Sequence, residues 1–246
     1  MTDLTGKRAL VTGASRGIGA AIALALAEQG ADVAITYEHS ADRAADVVRA
    51  IEAKGRRGFA LQADSADAAA VKRSVDEAAR SLGGLDILVN NAGIARGGPL
   101  AEQSLADIDA LLAVNIRAVV LASQAAIAHL PEGGRIVSIG SCLAERVPFG
   151  GVTVYSMTKS ALLAFTRGLA RELGPRGVTV NLVHPGSTDT DMNPADGPQS
   201  DVQRANSALG HYGKPEDIAA AVAFLAGPSA RQITGTGITV DGGANA

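Results

Sequence analysis

The chain of 246 residues has the length of one large α/β domain. Hydrophobic residues make up 47% of it, which is enough for a substantial core, and the formal net charge is only −3. No run of Lys or Arg marks a surface for nucleic acid or for membrane lipid, so we expect neither partner.

Cysteine and histidine content argues against disulfide and metal chemistry. The single cysteine, Cys142, can form neither an intrachain disulfide nor a thiolate pair for a metal. The histidines lack metal-ligand spacing; they are His39, His129, His184 and His211. The first residues are polar, and no apolar stretch approaches the roughly 18 to 20 residues of a membrane helix. We therefore expect a cytoplasmic protein without a metal or a membrane span.

Short β-branched runs alternate with longer amphipathic runs along the whole chain. The predicted strands cover residues 8–12, 33–36, 58–62, 86–89, 134–139, 179–183 and 238–240. The predicted helices cover residues 17–29, 41–53, 67–81, 105–128, 155–173 and 215–226. The strands are continuous apolar runs, which is typical of a parallel sheet with helices on both faces. This alternation predicts a single α/β domain built on a doubly wound parallel sheet.

Three glycines, Gly13, Gly17 and Gly19, lie between the first predicted strand and the first predicted helix. A phosphate must come close to the free N–H groups of a helix N-terminus, and side chains there would block it. This placement predicts a dinucleotide phosphate site, although three residues rather than one separate the first two glycines. Tight turns without a ligand are the alternative.

The residues after the second predicted strand bear on the choice between NADPH and NADH. An acid at this strand end binds the ribose hydroxyls and repels a 2′-phosphate. Tyr37 occupies that position, and Arg16 in the glycine turn is able to reach a phosphate, so both favour NADPH. Glu38 favours NADH unless its side chain points to solvent. We expect NADPH, with NADH less favoured.

Two further strand ends carry candidate adenosine contacts. Asn91, Ala92 and Gly93 follow the fourth predicted strand, where small and amide residues can pass under an adenosine and brace the glycine turn. An ordinary turn has the same composition. Asp64, after the third predicted strand, either accepts a hydrogen bond from the adenine amino group or caps the helix that begins at residue 67.

Asn115 and Ser141 are candidates for a chemical site. Asn115 lies inside the predicted helix 105–128, where Asn is mildly unfavourable. It either bends that helix and positions a water beside Lys159, or forms a core amide bonded to the backbone. Ser141 follows the fifth predicted strand, and its hydroxyl can hold a substrate oxygen; a turn or a cap is the alternative.

Tyr155 and Lys159 are spaced i, i+4 at the start of a predicted helix, so they share one face. A phenol has a pKa near 10, too high for proton exchange near neutral pH, and a close ammonium lowers it. The same lysine can bind a ribose. The pair predicts an acid/base for a carbonyl or an alcohol, whereas a pair that only supports the helix is the alternative.

Residues 187–213 interrupt the alternation of strands and helices. They contain Thr, Asp, Asn, Pro, Gly and Ser with little periodicity, and they follow a strand end, where ligands bind in such sheets. A connection of this length in a compact domain is usually functional or disordered. We predict a mobile substrate lid, with a disordered loop as the alternative.

The ordered set of motifs resembles the short-chain dehydrogenase/reductase family, including its 3-oxoacyl-carrier-protein reductases. The motifs are Thr12-Gly-x-x-x-Gly-x-Gly19, Asn90-Asn-Ala-Gly93, Asn115, Ser141, Tyr155-x-x-x-Lys159 and Pro185-Gly186. The resemblance implies a Rossmann-type sheet of seven strands, a small-molecule carbonyl substrate and a homotetramer. It also implies a catalytic tetrad, formed by Asn115, Ser141, Tyr155 and Lys159.

The resemblance extends to single cofactor contacts. Arg16 resembles the basic residue of NADPH-preferring members, and Thr190 resembles the residue that contacts the nicotinamide carboxamide. The predicted cofactor-binding set is Gly13, Ser15, Arg16, Gly17, Ile18, Gly19, Tyr37, Asp64, Asn91, Ala92, Gly93, Pro185, Gly186 and Thr190.

Two segments depart from the carrier-protein reductases. The segment from Ser141 to Tyr155 is one residue longer than is usual in them. Residues 190–197 resemble a segment of a biofilm-dispersal regulator in this family that binds cyclic di-GMP. A cyclic-dinucleotide-binding regulatory protein on the same fold is therefore the alternative function.

Overall fold

The strands form where apolar runs are covered on both sides. In the computed structural model, which describes residues 3–246, they are β1 (Arg8–Val11), β2 (Asp32–Tyr37), β3 (Gly58–Gln62), β4 (Ile87–Asn90), β5 (Arg135–Ile139), β6 (Thr179–Pro185) and β7 (Gly237–Val240). Strands β1, β4, β5 and β6 are almost wholly buried. Because both of their faces are shielded from water, continuous apolar runs suit these positions better than alternating ones.

Apart from one short helix within residues 187–213 and the division of the predicted helix 105–128 into two, the helices follow the predicted amphipathic stretches to within a few residues. They are α1 (Gly17–Glu28), α2 (Ala41–Glu52), α3 (Ala68–Leu82), α4 (Leu105–Leu112), α5 (Ala118–Ile127), α6 (Thr153–Leu173), α7 (Ser200–Ala205) and α8 (Pro215–Ala226). Local chemistry fixes their ends, as α3 shows. The Asp67 carboxylate accepts hydrogen bonds from the Ala69 and Ala70 N–H groups, and Gly83 closes the helix with a φ of 80°.

Within residues 3–246 the seven strands form a parallel sheet with the order β3-β2-β1-β4-β5-β6-β7. The chain winds outward from β1 in one direction and then from β4 in the other. A crevice therefore opens between β1 and β4 at the carboxyl edge of the sheet, where ligands bind in doubly wound folds. The predicted Rossmann-type fold of one domain is confirmed.

Two apolar layers fill the space between the sheet and its helices. One lies under α1, α2 and α8, and the other lies under α3, α5 and α6. Small side chains let α1 and α8 pack closely, since Ala23, Ala219 and Ala223 are all buried in their contact. Close helix packing through alanine explains how a chain with only 3% aromatic residues fills its core.

The predicted continuous helix over residues 105–128 is interrupted. Helix α4 ends at Leu112, a π-helical turn spans Ala113–Arg117, and α5 continues from Ala118. A π turn inserts an extra residue into the helical repeat and is frequent at functional sites. Asn115 lies in this turn.

The expectation that no apolar stretch reaches the length of a membrane span is wrong. Leu105–Ile127 forms 23 helical residues, and an 18-residue window within it has a mean hydropathy of 1.8, which is sufficient by length and composition. Its α5 part packs against α3, its α4 part packs against α6, and Ala122 and Ala126 join the core. A core helix of a folded domain passes the same test, so this helix is weak evidence for a membrane span.

Residues 187–213, the lid segment, fold over the carboxyl edge of the sheet. Helix α7 lies within the segment, and a parallel bridge joins Thr188 to Gly213. The side-chain amides of Asn193 and Gln203 exchange two hydrogen bonds, of 2.9 and 3.0 Å. A helix of six residues is too short to show an amphipathic repeat, which explains why the sequence did not predict α7. The role of the segment as a lid stays a prediction.

Candidate active site

The glycine turn lies at the carboxyl end of β1, against the end of β4. Gly13 and Gly17 have φ values of 62° and 55°, in the left-handed region that favours glycine. A Cβ on Gly13 would lie 2.8 Å from the Cα of Ala92, and a Cβ on Gly19 would lie 2.4 Å from Nδ2 of Asn91. Packing of the turn against β4 therefore requires two of these glycines, in addition to any need of a ligand.

Asn91 and Thr12 hold the glycine turn in place. The Asn91 amide donates to the carbonyl oxygens of Thr12, at 2.9 Å, and Gly13, at 3.0 Å. The Thr12 hydroxyl accepts from the N–H groups of Asn91, at 3.0 Å, and Ala92, at 3.1 Å. From β2, the Thr36 hydroxyl accepts from the Gly13 N–H at 3.0 Å. These bonds fix the predicted residues Asn91 and Ala92 as braces of the turn.

The N-terminus of α1 faces the crevice with its backbone donors uncapped. Arg16 occupies the N-cap, and in the part of the chain that the structure describes no side chain caps α1. No acidic residue lies in its first turn. Uncapped N–H groups and the positive end of the helix dipole attract an anion, so this end fits a pyrophosphate. Ser15 and Ile18 flank the same turn, and both are half-buried.

Tyr37 and Asp64 lie at the ends of β2 and β3. Tyr37 is half-buried, and Asp64 is exposed. One Asp64 carboxylate oxygen accepts from the Ala66 N–H at 2.7 Å, in a local turn. The N-cap of α3 is Asp67, so the interpretation of Asp64 as the cap is wrong. The exposed carboxylate remains accessible to an adenine amino group.

Glu38 points to solvent, which removes the sequence argument for NADH. Its side chain is 53% exposed and lies 2.9 Å from Nε2 of His39. Arg16 and Arg43 instead converge on Asp191 at the same corner of the crevice. The sequence did not reveal Arg43, because an arginine inside a helix belongs to no strand end and to no motif.

Ser141, Tyr155 and Lys159 meet where β5 ends and α6 begins. The Ser141 hydroxyl accepts from the Leu143 N–H at 3.1 Å. Tyr155 lies in the first turn of α6, and the Lys159 Nζ lies 5.9 Å from the centre of its ring. The same Nζ donates to the carbonyl oxygen of Ile139 at 3.0 Å. The structure thus brings these three predicted catalytic residues together at one edge of the sheet.

Burial dominates the acid–base properties of this cluster. It lowers the pKa of Lys159 to about 8 and raises the pKa of the Tyr155 phenol, an effect that the Ser141 hydroxyl partly offsets. The expectation that the ammonium lowers the pKa of Tyr155 is not met in this structure. Lys159 is itself buried, and its Nζ is bonded to the Ile139 carbonyl. Tyr155 is therefore protonated at neutral pH, which is the state needed to donate a proton.

Asn115 is bound at both ends of its side chain. Its Oδ1 accepts from the Ile94 N–H at 2.9 Å, and its Nδ2 donates to the Ile94 carbonyl at 3.0 Å and to the Thr158 hydroxyl at 3.1 Å. The interpretation of Asn115 as a core amide bonded to backbone is thus met, and its role in positioning a water beside Lys159 stays a prediction. It is a buried amide bonded to backbone, and it lies in the turn that interrupts the helix.

Glycines occupy two closely packed positions after the ends of β4 and β6. A Cβ on Gly93 would lie 3.4 Å from both the Asn115 Oδ1 and the Lys159 Nζ, so glycine keeps this gap open. Gly186 follows Pro185 at the end of β6 and packs against Asp241. A Cβ added to Gly186 would lie 2.5 Å from the Cα of Asp241, so only glycine fits there.

Thr190 and His184 approach the site from the lid segment and from β6. The Thr190 methyl would lie 3.4 Å from a Cβ on Gly17, which places it over the glycine turn. His184 is buried, and its Nδ1 lies 3.0 Å from the Ser141 carbonyl oxygen. Burial lowers the pKa of His184, which keeps the ring neutral. The sequence argued only against a metal-ligand role for His184, because nothing in its spacing linked it to Ser141.

A parallel sheet with a glycine turn at its switch point and a Ser–Tyr–Lys cluster on its carboxyl edge defines an NAD(P)-dependent oxidoreductase of the Rossmann type. A family model described as "Enoyl-(Acyl carrier protein) reductase" matches residues 13–245. The chain belongs to the short-chain dehydrogenase/reductase family, as the motifs predicted.

Individual relatives span almost the whole chain. A short-chain dehydrogenase from Burkholderia cenocepacia J2315, solved in complex with NADP, is 66% identical, with a TM-score of 0.98 over 99% of each chain. A cyclic-di-GMP-binding biofilm dispersal mediator protein from Escherichia coli K12 is 45% identical over 98% of each chain. The 3-oxoacyl-[acyl-carrier-protein] reductase FabG from Staphylococcus aureus is 42% identical over 96% of this chain and 97% of its own.

Proposed function

We propose that the protein is an NADPH-dependent reductase that converts a ketone into a secondary alcohol, with Tyr155 as the acid. The observation that carries this proposal is the convergence of Ser141, Tyr155 and Lys159 on the sheet edge that also holds the glycine turn. The relative from Burkholderia cenocepacia, solved with NADP, supports the choice of cofactor.

Residues on this chain fit each part of NADPH. The uncapped N-terminus of α1 suits the pyrophosphate, and the exposed Asp64 suits the adenine amino group. Arg16 and Arg43 supply positive charge for a 2′-phosphate. At the other end of the crevice, the nicotinamide riboside contacts would come from Lys159, Pro185, Gly186 and Thr190.

The side chains of the cluster divide the proton chemistry among them. When bound, the nicotinamide supplies the hydride. The Ser141 hydroxyl orients the carbonyl oxygen and stabilises the negative charge that develops on it. Tyr155, kept protonated by burial, donates its Oη proton to that oxygen. Asn115 joins the π turn to α6 through the hydroxyl of Thr158, the residue before Lys159.

The substrate lies under the lid segment in this proposal. We propose Phe149, between Ser141 and Tyr155 in the chain, and Met192, in the lid segment, as apolar walls for the substrate; they are 41% and 61% exposed. Tyr212, also in the lid segment, is buried, and its ring lies 5.5 Å from the Arg204 guanidinium carbon. The exposed apolar side chains favour a small carbonyl compound with an apolar part, such as a cyclic ketone or a 3-oxoacyl thioester.

A ketone panel tests the proposed activity. We expect NADPH absorbance at 340 nm to fall with at least one ketone, and to fall faster than NADH absorbance under the same conditions. The panel should contain simple ketones, cyclic ketones and 3-oxoacyl thioesters. If no compound in it oxidises either cofactor, the proposed reductase activity is wrong.

The likeness to the biofilm dispersal mediator favours one second candidate function, binding of a cyclic dinucleotide. The basic corner formed by Arg16 and Arg43 has the charge for such a phosphodiester. Titration calorimetry with cyclic di-GMP, with and without NADPH, separates the two candidates. Tight binding of cyclic di-GMP without ketone reduction supports the regulator, and reduction without such binding supports the enzyme.

We propose a homotetramer as the assembly. The exposed faces of α5 and α6 carry apolar side chains, with Val120 38% and Met157 50% exposed. Light scattering coupled to gel filtration should give four times the mass of one chain. Val120→Glu should lower that mass, because it places a charge in an apolar contact, whereas Val202→Glu on the exposed face of α7 should not. An unchanged mass for Val120→Glu would remove α5 from the interface.

Cys142 supports a cytoplasmic location in this proposal. Burial raises the pKa of its thiol, so the residue is a poor nucleophile. A reductase without a disulfide has no need of an oxidising compartment.

A further inference from the structure

Two arginines from different helices share one carboxylate at the corner of the crevice beside β2. Arg16 occupies the N-cap position of α1, Arg43 lies in the first turn of α2, and Asp191 lies in the lid segment. Nη1 of Arg16 lies 3.4 Å from Oδ2 of Asp191, and Nη1 of Arg43 donates to the same oxygen. Asp191 is 175 positions from Arg16 and 148 positions from Arg43 in the chain, so the fold joins distant residues at one oxygen atom.

The group formed by Arg16, Arg43 and Asp191 has more positive than negative charge. Two guanidinium groups face one carboxylate, and the neighbouring acid Glu38 is turned towards His39. The side chains of Arg16, Arg43 and Asp191 are each between 54% and 58% exposed, so a ligand in solution can reach them. The arginines lower the pKa of Asp191, which keeps it charged at neutral pH.

We infer that Asp191 occupies the place of the 2′-phosphate of NADPH, and that the phosphate displaces its carboxylate from Arg16 and Arg43. The inference deepens the proposed function and rests on it. A phosphate dianion offers three oxygens where Asp191 offers one shared oxygen, so each guanidinium gains a separate acceptor. The 2′-hydroxyl of NADH is uncharged and cannot make this exchange.

The exchange makes Asp191 a specificity-determining residue. Asp191 competes with the 2′-phosphate for both arginines, and its charge repels the phosphate, so it weakens NADPH binding. It opposes NADH binding far less, because NADH does not need the arginines. The carboxylate also belongs to the lid segment, next to Thr190 over the glycine turn, so only a cofactor with a 2′-phosphate releases this contact.

Asp191→Asn tests the inference, because it keeps the shape of the side chain and removes its charge. We expect its Kd for NADPH to fall roughly 3- to 10-fold at low ionic strength, which is the range for two exposed ion pairs. The Kd for NADH should change less than about twofold. The gain should shrink at high salt, since the charges are exposed. Nicotinamide fluorescence titration measures both constants.

Asp201→Asn is the matched control. It removes the same charge from the lid segment, but its carboxylate pairs with Arg204 rather than with the arginines of the crevice. We expect no selective change in NADPH affinity. In an Arg43→Gln background, Asp191→Asn should give a smaller gain, because one of the two contested guanidiniums is missing.

The outcomes separate this inference from the proposed function. Wild-type protein that does not bind NADPH overturns both. Wild-type protein that binds NADPH, combined with equal shifts for NADPH and NADH in Asp191→Asn, overturns the role of Asp191 and leaves the reductase proposal in place. A selective gain for NADPH supports both.

Discussion

Tyr155→Phe is expected to lower ketone reduction by NADPH about 10²- to 10⁴-fold, the range for loss of a positioned general acid. The variant removes only the Oη that would donate the proton. Burial raises the pKa of this phenol, so the wild-type group carries its proton throughout the neutral range. NADPH affinity should change less than about twofold, because the proposed phosphate contacts lie on α1 and α2.

Steady-state rates and fluorescence titration of NADPH measure the two parts of this prediction. Tyr212→Phe is the matched control, since it removes a phenol hydroxyl from the lid segment without touching Ser141 or Lys159. We expect it to retain most of the wild-type rate. Turnover by Tyr155→Phe at the wild-type rate would exclude Tyr155 as the acid.

Local motifs explain which parts of the site the sequence could predict. The glycine turn and the pair Tyr155 and Lys159 depend on residues close together in the chain, and both lie where strand and helix ends place them. The alternation of strands and helices was enough to predict the parallel sheet, because each apolar strand needs helices to cover both of its faces. These features follow from spacing alone.

Long-range contacts explain what the sequence did not predict. The meeting of Arg43 with Asp191 depends on how the lid segment folds back, which no local pattern encodes. The direction of the pKa shift at Tyr155 depends on how deeply Lys159 is buried. The spacing of the pair placed the ammonium near the ring correctly, but it carried no information on desolvation or on the Ile139 carbonyl.

Lys159→Met is expected to change activity and stability in opposite directions. Ketone reduction should fall by at least about 100-fold, because the variant loses the ammonium that would hold the nicotinamide ribose in place beside Tyr155. The free energy of unfolding should rise at neutral pH. A charged lysine that is only 6% exposed is costly to bury, and a methionine of similar length is not.

The pH dependence fixes the sign of the stability effect. The pKa of Lys159 is about 8 in the folded protein and 10.5 for the unperturbed group. Between these values the unfolded chain binds more protons, so wild-type stability rises as pH rises through this window. Below pH 8 the full cost, about 3 kcal/mol at about 1.4 kcal/mol per pKa unit, is present. Lys159→Met also loses the hydrogen bond to the Ile139 carbonyl, which lowers the expected gain in stability by about 1 kcal/mol.

Thermal melts of wild type and Lys159→Met from pH 7 to pH 10.5 measure this effect. Since a net gain of about 2 kcal/mol corresponds to a rise in Tm of about 4–8 °C for a domain of this size, the variant should melt higher at pH 7. The difference between the two proteins should shrink as pH approaches 10.5, because the folded wild-type lysine is then neutral and the unfolded chain has begun to lose the same proton. Lys72→Met, at an exposed position on α3, should show no such trend. A Tm difference that is constant across this window would mean that Lys159 is not buried as a charge, and the acid–base argument for the cluster would then lose its basis.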